Sequence, residues 1–494
     1  MTESLRYKTA ANLSYNLVAR LFVFALSSAT GIILARNLTS SDYGIVGFAM
    51  IFIEFLQRFN DFGITSSVVQ KENIKEKELY TAFLLKIIFG FLMFSLSFAL
   101  GWVSQITFND PAVKWVIVVL AANLFLDSLG FLPTTILTRE LKFKRLTIPQ
   151  IGARVVATVV ALTTVYMGFR YWSIVLSNVA ANLTTVAIVW VLCPIPLKFR
   201  WDSNAAMEQL KFGSNLLFAG LMVLVLHNAG NFTIGAVTGA AALGYYSIAL
   251  NWGCKVPGFI SDAIGNILLS TFSRVQRDAE RLNRGYLTML EYVSFTAILF
   301  NILILIASKE LLTLVLGANT GKWLPALLSL HILCIYGAFR ALLEPVKSLI
   351  IAIGRPSLIL KSNAIVAVLQ VLCLYPALVS FDIAGVAVVV TLSYSLQYLI
   401  YFPAMQREID LPFSSIFRSI RPALLSGWAL ATFGCVIDLF MSTSWFSLAV
   451  KLILGSILYI ALYGIITKWK ILKESREIIG AILLKPGDSE VTPN

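Results

Sequence analysis

Long blocks of hydrophobic residues, separated by short polar stretches, run along almost the whole chain. A helix needs about 20 mostly apolar residues to cross the hydrocarbon layer of a bilayer. Fourteen blocks meet this requirement, and we number them as spans 1 to 14: 13–35, 43–69, 79–105, 113–137, 148–167, 171–192, 209–235, 241–269, 286–307, 324–353, 357–379, 383–405, 419–440 and 445–467. The pattern predicts an all-α polytopic membrane protein with about 14 transmembrane helices.

Composition supports this class. Of 494 residues, 58% are hydrophobic and 13% are charged, whereas soluble chains carry about 25% charged residues. The longest connections, 193–208 and 270–285, are too short to form a soluble domain, so we expect the activity to take place within the bilayer.

Span 1 contains Arg20 and leads into further spans, which predicts a retained first helix and no cleaved signal peptide. The five cysteines stand singly, a spacing that argues against a disulfide framework or a zinc module.

Basic residues divide the connections into two sets. One set of alternate loops, together with the two termini, carries 26 of them, whereas the opposite loops hold Arg36, Arg170, Lys309 and Lys322. Positive charges resist translocation, so both termini are predicted to lie in the cytoplasm. This asymmetry and attraction to anionic membrane lipids account for most of the net charge of +13, and no nucleic-acid partner is expected.

A weak internal repeat is visible. A shift of 200 residues aligns Asp42-Tyr43-Gly44 with Ala242-Leu243-Gly244, and a shift of 212 aligns Pro133 with Pro345. Two sets of six spans with the same orientation form a parallel repeat, whose pseudo-twofold axis follows the membrane normal. The predicted domains are an N-lobe (1–205, spans 1–6), a C-lobe (206–410, spans 7–12), spans 13–14 (411–468) and a cytoplasmic tail (469–494).

Polar stripes on several spans predict an internal cavity. A charge facing lipid at mid-bilayer costs at least about 2.5–3.5 kcal/mol, so intramembrane cations are expected to face a cavity or a partner. Residues three, four, seven or eleven positions apart share one face of a helix. Arginine also suits phosphate, because its planar fork of donors binds two oxygens together. The candidate residues for a pyrophosphate and glycan site are Arg20, Arg58, Arg154, Lys255, Arg340, Asn16, Asn251 and Asn266.

Some of these intramembrane charged residues have a structural role as the alternative to a binding role. Glu54–Arg58 and Arg340–Glu344 have the spacing of ion pairs within one helix. Three further cations, Lys86, Lys114 and Lys451, lie near span ends and are expected to extend to the membrane surface.

Three residues are candidates for ion coupling. Asp262 and Glu344 are carboxylates within spans, and His227 lies within span 7 beside two asparagines. Imidazole titrates near neutral pH, so a histidine can take up a proton during a transport cycle.

Motifs for catalysis are missing from the sequence. It contains no Walker loop, no GxSxG and no HExxH, so we expect neither an enzyme nor a cofactor or metal site. Without a nucleotide-binding domain, an ion gradient or the gradient of the substrate has to drive any transport.

Four short segments resemble the polysaccharide exporters of the colanic acid and teichuronic acid type. They are DFGITSSVVQ at 61–70, LKF at 141–143, GYYSIA at 244–249 and FSRVQRD at 272–278. The resemblance implies two six-helix lobes in a V, as in lipid II flippases and multidrug extrusion carriers, plus two C-terminal helices. It implies export of an undecaprenyl-pyrophosphate-linked oligosaccharide across the bacterial inner membrane, for exopolysaccharide, capsule or O-antigen synthesis. A monomer working beside a polymerase and other glycan-assembly proteins is the expected arrangement.

Two other functions stay open. A multidrug-type antiporter for organic cations would need an acidic cavity, whereas the stripes here carry more basic than acidic groups. A non-transporting scaffold of a glycan-synthesis complex would keep the same spans.

Overall fold

The computed structural model describes residues 3–108, 110–140, 142–261, 268, 272 and 278–469, with the backbone alone described for 3–17, 143 and 215. All regular structure in these residues is helical. The principal helices are α1 (Glu3–Asn37), α2 (Ser40–Asp61), α3 (Ile64–Gln70), α4 (Glu76–Phe108), α5 (Pro111–Arg139), α6 (Phe143–Tyr166), α7 (Trp172–Leu192), α8 (Ser203–Thr238), α9 (Ala240–Gly253), α10 (Ala279–Ile306), α11 (Leu327–Ala352), α12 (Pro356–Ile409), α13 (Phe413–Phe440) and α14 (Trp445–Thr467).

The protein is a multi-pass membrane protein, because 11 of the described helices are long and apolar enough to cross a bilayer. One of the 11, α12, has 54 residues and covers both span 11 and span 12, with non-helical backbone at Phe381 and Asp382. Spans 2 and 8 correspond to α2 and α9, which contribute polar residues to the site described below. The all-α class is confirmed, and the number of 14 spans stays a prediction.

Span 2 is interrupted, although a continuous helix is predicted over 43–69. Helix α2 ends at Asp61, because Phe62 (φ 42°) and Gly63 (φ 67°) adopt the left-handed conformation that ends helices. A Cβ atom on Gly63 would lie only 2.8 Å from Cα of Gly213 in α8. The predicted span over 43–69 is therefore not one continuous helix: a turn at Phe62 and Gly63, in close contact with α8, separates α2 from the helix α3 over Ile64–Gln70.

Helices α2 and α9 cross at two glycines. A Cβ atom on Gly44 would lie 1.9 Å from the carbonyl oxygen of Ala240, and one on Gly244 would lie 1.8 Å from that of Ser40. The two contacts are reciprocal: Gly44 meets Ala240, Gly244 meets Ser40, and Ala240 lies 200 positions after Ser40. Gly44 and Gly244 are the residues that the 200-residue shift aligns.

The last two helices pack on α10. Leu303 of α10, Leu430 of α13 and Tyr459 of α14 belong to one buried cluster. Beside it the ammonium of Lys451, which is fully buried, lies 2.7 Å from a carboxylate oxygen of the equally buried Glu310. The expectation that Lys451 extends to the membrane surface is wrong, because this remote carboxylate holds it inside the protein.

Candidate functional site

A cavity of about 720 Å³ lies among α1, α2, α6, α7, α8, α9 and α11; we call it the central cavity. Among the residues that the structure describes, its charged lining consists of Arg20, Glu54, Lys255 and Arg340, so three basic groups face one acidic group and this lining has a net charge of +2. Side-chain amides add hydrogen-bonding groups around these charges: Gln150, Asn228, Asn231 and Asn251. The lining is therefore suited to a ligand that has both an anionic group and neutral polar groups.

Lys255 enters the cavity from the helical residues that follow α9. The chain turns at Cys254 and is helical again over 255–261. The Lys255 ammonium lies 4.9 Å from the centre of the Trp252 ring, close enough for a cation–π interaction. It also lies 3.9 Å from the position that a Cβ atom on Gly31 of α1 would occupy, so it approaches the backbone of α1 closely.

Arg340 and Arg20 reach the same cavity from α11 and α1. Arg340 is half-buried, and Tyr336, Tyr394 and Cys254 are its neighbours. Arg20 is exposed, near the start of the part of α1 whose side chains are described. Of the predicted site residues, the structure brings Arg20, Asn251, Lys255 and Arg340 together in one cavity.

Arg58 lies in a second cavity of about 470 Å³, which α2, the turn after it, α3 and α8 enclose. We call this the second cavity. Its polar lining consists of Glu54, Gln57, Arg58, Asp61 and Ser66. Glu54 borders both cavities, and its carboxylate accepts a hydrogen bond of 2.7 Å from the Asn228 amide of α8.

The ion pairs proposed as structural alternatives are not formed among the described side chains. No contact within 4 Å joins Glu54 to Arg58 or Arg340 to Glu344 there, although 13 other ion pairs occur. Arg58 packs instead against Gly220 of α8, where a Cβ atom would lie 3.4 Å from its Cδ.

Arg154 lies outside the lining of both cavities. Its guanidinium is close enough to Lys255 for their charges to repel each other, and its buried Nε has no hydrogen-bond partner in the described part of the chain. Its assignment to the site stays a prediction.

The candidates for ion coupling are less well placed than the cations to take part in the candidate site. His227 has an exposed side chain near Arg58, Arg340 and Lys347, with its ring 6.2 Å from that of Tyr394. Glu344 is half-buried near Lys347. Asp262, Asn266 and the side chain of Asn16 lie outside the described residues.

Sequence reasoning omitted several lining residues and misjudged Lys86 as well as Lys451. Glu54, Gln150, Asn228 and Asn231 were not among the predicted site residues, although polar side chains in the middle of apolar spans are a usable signal. Lys86 does not reach the membrane surface as predicted. It is buried, and its ammonium lies 3.2 Å from a carboxylate oxygen of Asp61 and 3.2 Å from the carbonyl oxygen of Asn60.

Comparison with known proteins gives consistent matches. The profile of a family described as "Polysaccharide biosynthesis protein" matches residues 33–327. The lipopolysaccharide biosynthesis protein WzxC of Escherichia coli is 23% identical over 408 residues, which cover 80% of each chain. The teichuronic acid biosynthesis protein TuaB of Bacillus subtilis is 24% identical over 434 residues, 85% of this chain and 89% of TuaB. The lipid II flippase MurJ in an inward closed conformation has a similar fold, with a TM-score of 0.73 at 12% identity over 94% of this chain and 100% of MurJ.

Proposed function

Because the chain belongs to the polysaccharide biosynthesis protein family, we propose that it is a flippase for a lipid-linked oligosaccharide. The substrate is an undecaprenyl-pyrophosphate-linked repeat unit, which moves from the inner to the outer leaflet of the bacterial plasma membrane for surface polysaccharide synthesis. The observation that carries the proposal is the net charge of +2 on the described lining residues of the central cavity. Lipid excludes the charge of a pyrophosphate, so its crossing needs cations inside the membrane.

Each part of the substrate has a matching environment in this proposal. Arg20, Lys255 and Arg340 bind the pyrophosphate, and the guanidinium groups each contact two oxygens. Asn251 and the other amides of the central cavity hydrogen-bond to sugar hydroxyls. The polyprenyl tail stays among the lipids and passes between helices.

Alternating access requires two halves that separate at one end and then at the other. The predicted lobes, 1–205 and 206–410, meet through α2 and α9 at Gly44 and Gly244, and through Gly63 and Gly213 at the other end of α2. With both termini in the cytoplasm, the Gly44 contact faces outward and the Gly63 contact faces inward. The substrate favours one state over the other through its different affinity for each. His227, Asp262 and Glu344 stay candidates for ion coupling, and the working unit is a monomer that delivers its product to a polymerase.

The experiment deletes the gene and complements the strain with Arg20→Gln, Lys255→Met or Arg340→Gln. We expect the deletion strain and each variant to accumulate one undecaprenyl-pyrophosphate oligosaccharide in the inner leaflet and to lose a surface polysaccharide. Lys309→Met is the matched control, because Lys309 is an exposed cation outside the lining of both cavities. Wild-type export by all three cavity variants would refute the site. An unchanged lipid-linked pool in the deletion strain, with altered sensitivity to cationic drugs, would refute the function in favour of an antiporter.

A further inference from the structure

The two cavities differ in charge although Glu54 borders both. The central cavity has three basic groups and one acidic group. Among the described residues the second cavity has Glu54 and Asp61 as acidic groups and Arg58 as its basic group, and Gln57 and Ser66 add neutral polar groups. The ammonium of Lys86, 3.2 Å from an Asp61 oxygen, balances the remaining negative charge. An anion is therefore attracted more strongly to the central cavity, and the second cavity suits a neutral ligand rich in hydrogen-bond donors.

The acceptors of the second cavity are held in place from outside it. Asn228 donates to Glu54 at 2.7 Å, and Thr65 donates to an Asp61 oxygen at 2.5 Å. Lys86 lies 3.2 Å from the same Asp61 oxygen. Carboxylates fixed in this way need little reorganisation when a ligand binds, which is a condition for affinity in a polar site.

The volume of the second cavity is also appropriate for a small ligand. At about 470 Å³ the second cavity falls within the range of pockets that hold small organic ligands. Gly220 of α8 forms part of the wall, so the volume there depends on a missing side chain.

We infer that the second cavity is the glycan subsite of the transporter. It binds sugar hydroxyl groups distal to the pyrophosphate, while the pyrophosphate occupies the central cavity. The hydroxyls donate to Glu54 and Asp61, and Gln57, Arg58 and Ser66 donate to ring and hydroxyl oxygens. This inference rests on the proposed function, which it deepens by assigning the two chemical parts of one substrate to two adjoining cavities.

The test compares two lipids on the purified full-length protein, by binding in detergent and by translocation in proteoliposomes. One lipid is an undecaprenyl-pyrophosphate that carries a single sugar, and the other carries the complete repeat unit. Gly220→Leu fills the second cavity, and we expect it to weaken binding and translocation of the complete unit about tenfold or more, as overpacking of an occupied site does. Its values for the single-sugar lipid should stay within about twofold of wild type. Gln57→Ala removes one neutral hydrogen bond and should give about a threefold loss with the same selectivity.

Two further variants complete the design. Gly258→Leu places its side chain in the central cavity, where a Cβ atom would have no heavy atom of the described residues within 4 Å, and should weaken binding and translocation of both lipids. Gln70→Ala removes an exposed glutamine of α3 outside both cavities and should change neither.

Equal losses for both lipids in Gly220→Leu, or no loss for either, would overturn the glycan subsite and leave the proposed function intact. A wild-type protein that binds and moves neither lipid would instead refute the proposed function.

Discussion

Charged groups inside this membrane protein occupy two contrasting environments. Lys451 is paired on two sides: its ammonium lies 2.7 Å from an oxygen of Glu310 and 2.6 Å from an oxygen of Asp438. Ser447 also donates to Glu310, at 2.9 Å. In the central cavity the lining residues that the structure describes include three cations and one carboxylate, that of Glu54, which already accepts a hydrogen bond from Asn228. Cations that outnumber carboxylates around an accessible cavity therefore indicate a binding site, whereas a cation buried against remote carboxylates indicates a structural element.

The position of the Lys451 cluster explains its structural role. Glu310 lies in the segment that joins α10 to α11 and that contacts the corner between α1 and α2. Lys322 of this segment donates to the carbonyl oxygens of Arg36 (2.7 Å) and Leu38 (2.9 Å). The buried pair thus ties α14 to a segment that is bonded to the first helices of the chain.

Lys451→Met gives the largest expected loss of stability. It leaves Glu310 buried without its cation, a change that typically costs about 3–5 kcal/mol. Thermal unfolding in detergent should show a clearly lower melting temperature, whereas the exposed neighbour Lys309, replaced by Met, should leave it unchanged. A melting temperature for Lys451→Met equal to that of wild type would mean that the pair carries no stability.

Glu310→Gln combined with Lys451→Met should recover much of that loss. Replacing both members of a buried ion pair removes the uncompensated charge, and such replacements are often nearly neutral. A double-mutant cycle on the melting temperature measures the coupling. Additive losses would show that the two residues act independently.

Lys255→Met should affect transport far more than stability. It removes a charge that faces a cavity and is repelled by Arg154, so we expect an unfolding free energy within about 1 kcal/mol of wild type. Translocation of the complete lipid-linked unit should fall about tenfold, as expected from a lost hydrogen bond to a charged group. A stability loss as large as that of Lys451→Met would erase the distinction between the two environments.

Glu208→Gln should have the smallest effect on the stability of the protein. Its carboxylate lies 3.2 Å from the ammonium of Lys71, but the two side chains are 66% and 36% exposed, and exposed ion pairs contribute about 0–1 kcal/mol. The hydrogen bond to Glu208 raises the pKa of Lys71 above its ordinary value. The contribution is therefore present at neutral pH and is lost as the pH rises through that raised pKa. A melting-temperature difference from wild type that stays the same as the pH rises through that pKa would contradict this sign.

The apolar blocks and the polar stripes were sufficient to predict the membrane class, most of the helices and the four cavity residues Arg20, Asn251, Lys255 and Arg340. They were sufficient because the period of a helix places residues three or four apart on one face, a relation contained in the local sequence. The local sequence could not identify the compensated cations, since Lys86 and Lys451 meet carboxylates 25 and 141 positions away. It also could not reveal the end of α2 at Asp61 or the existence of two cavities of different charge. Those features arise where α2 packs against α8, and contacts between helices that are distant in the chain are set by the packing of the whole molecule.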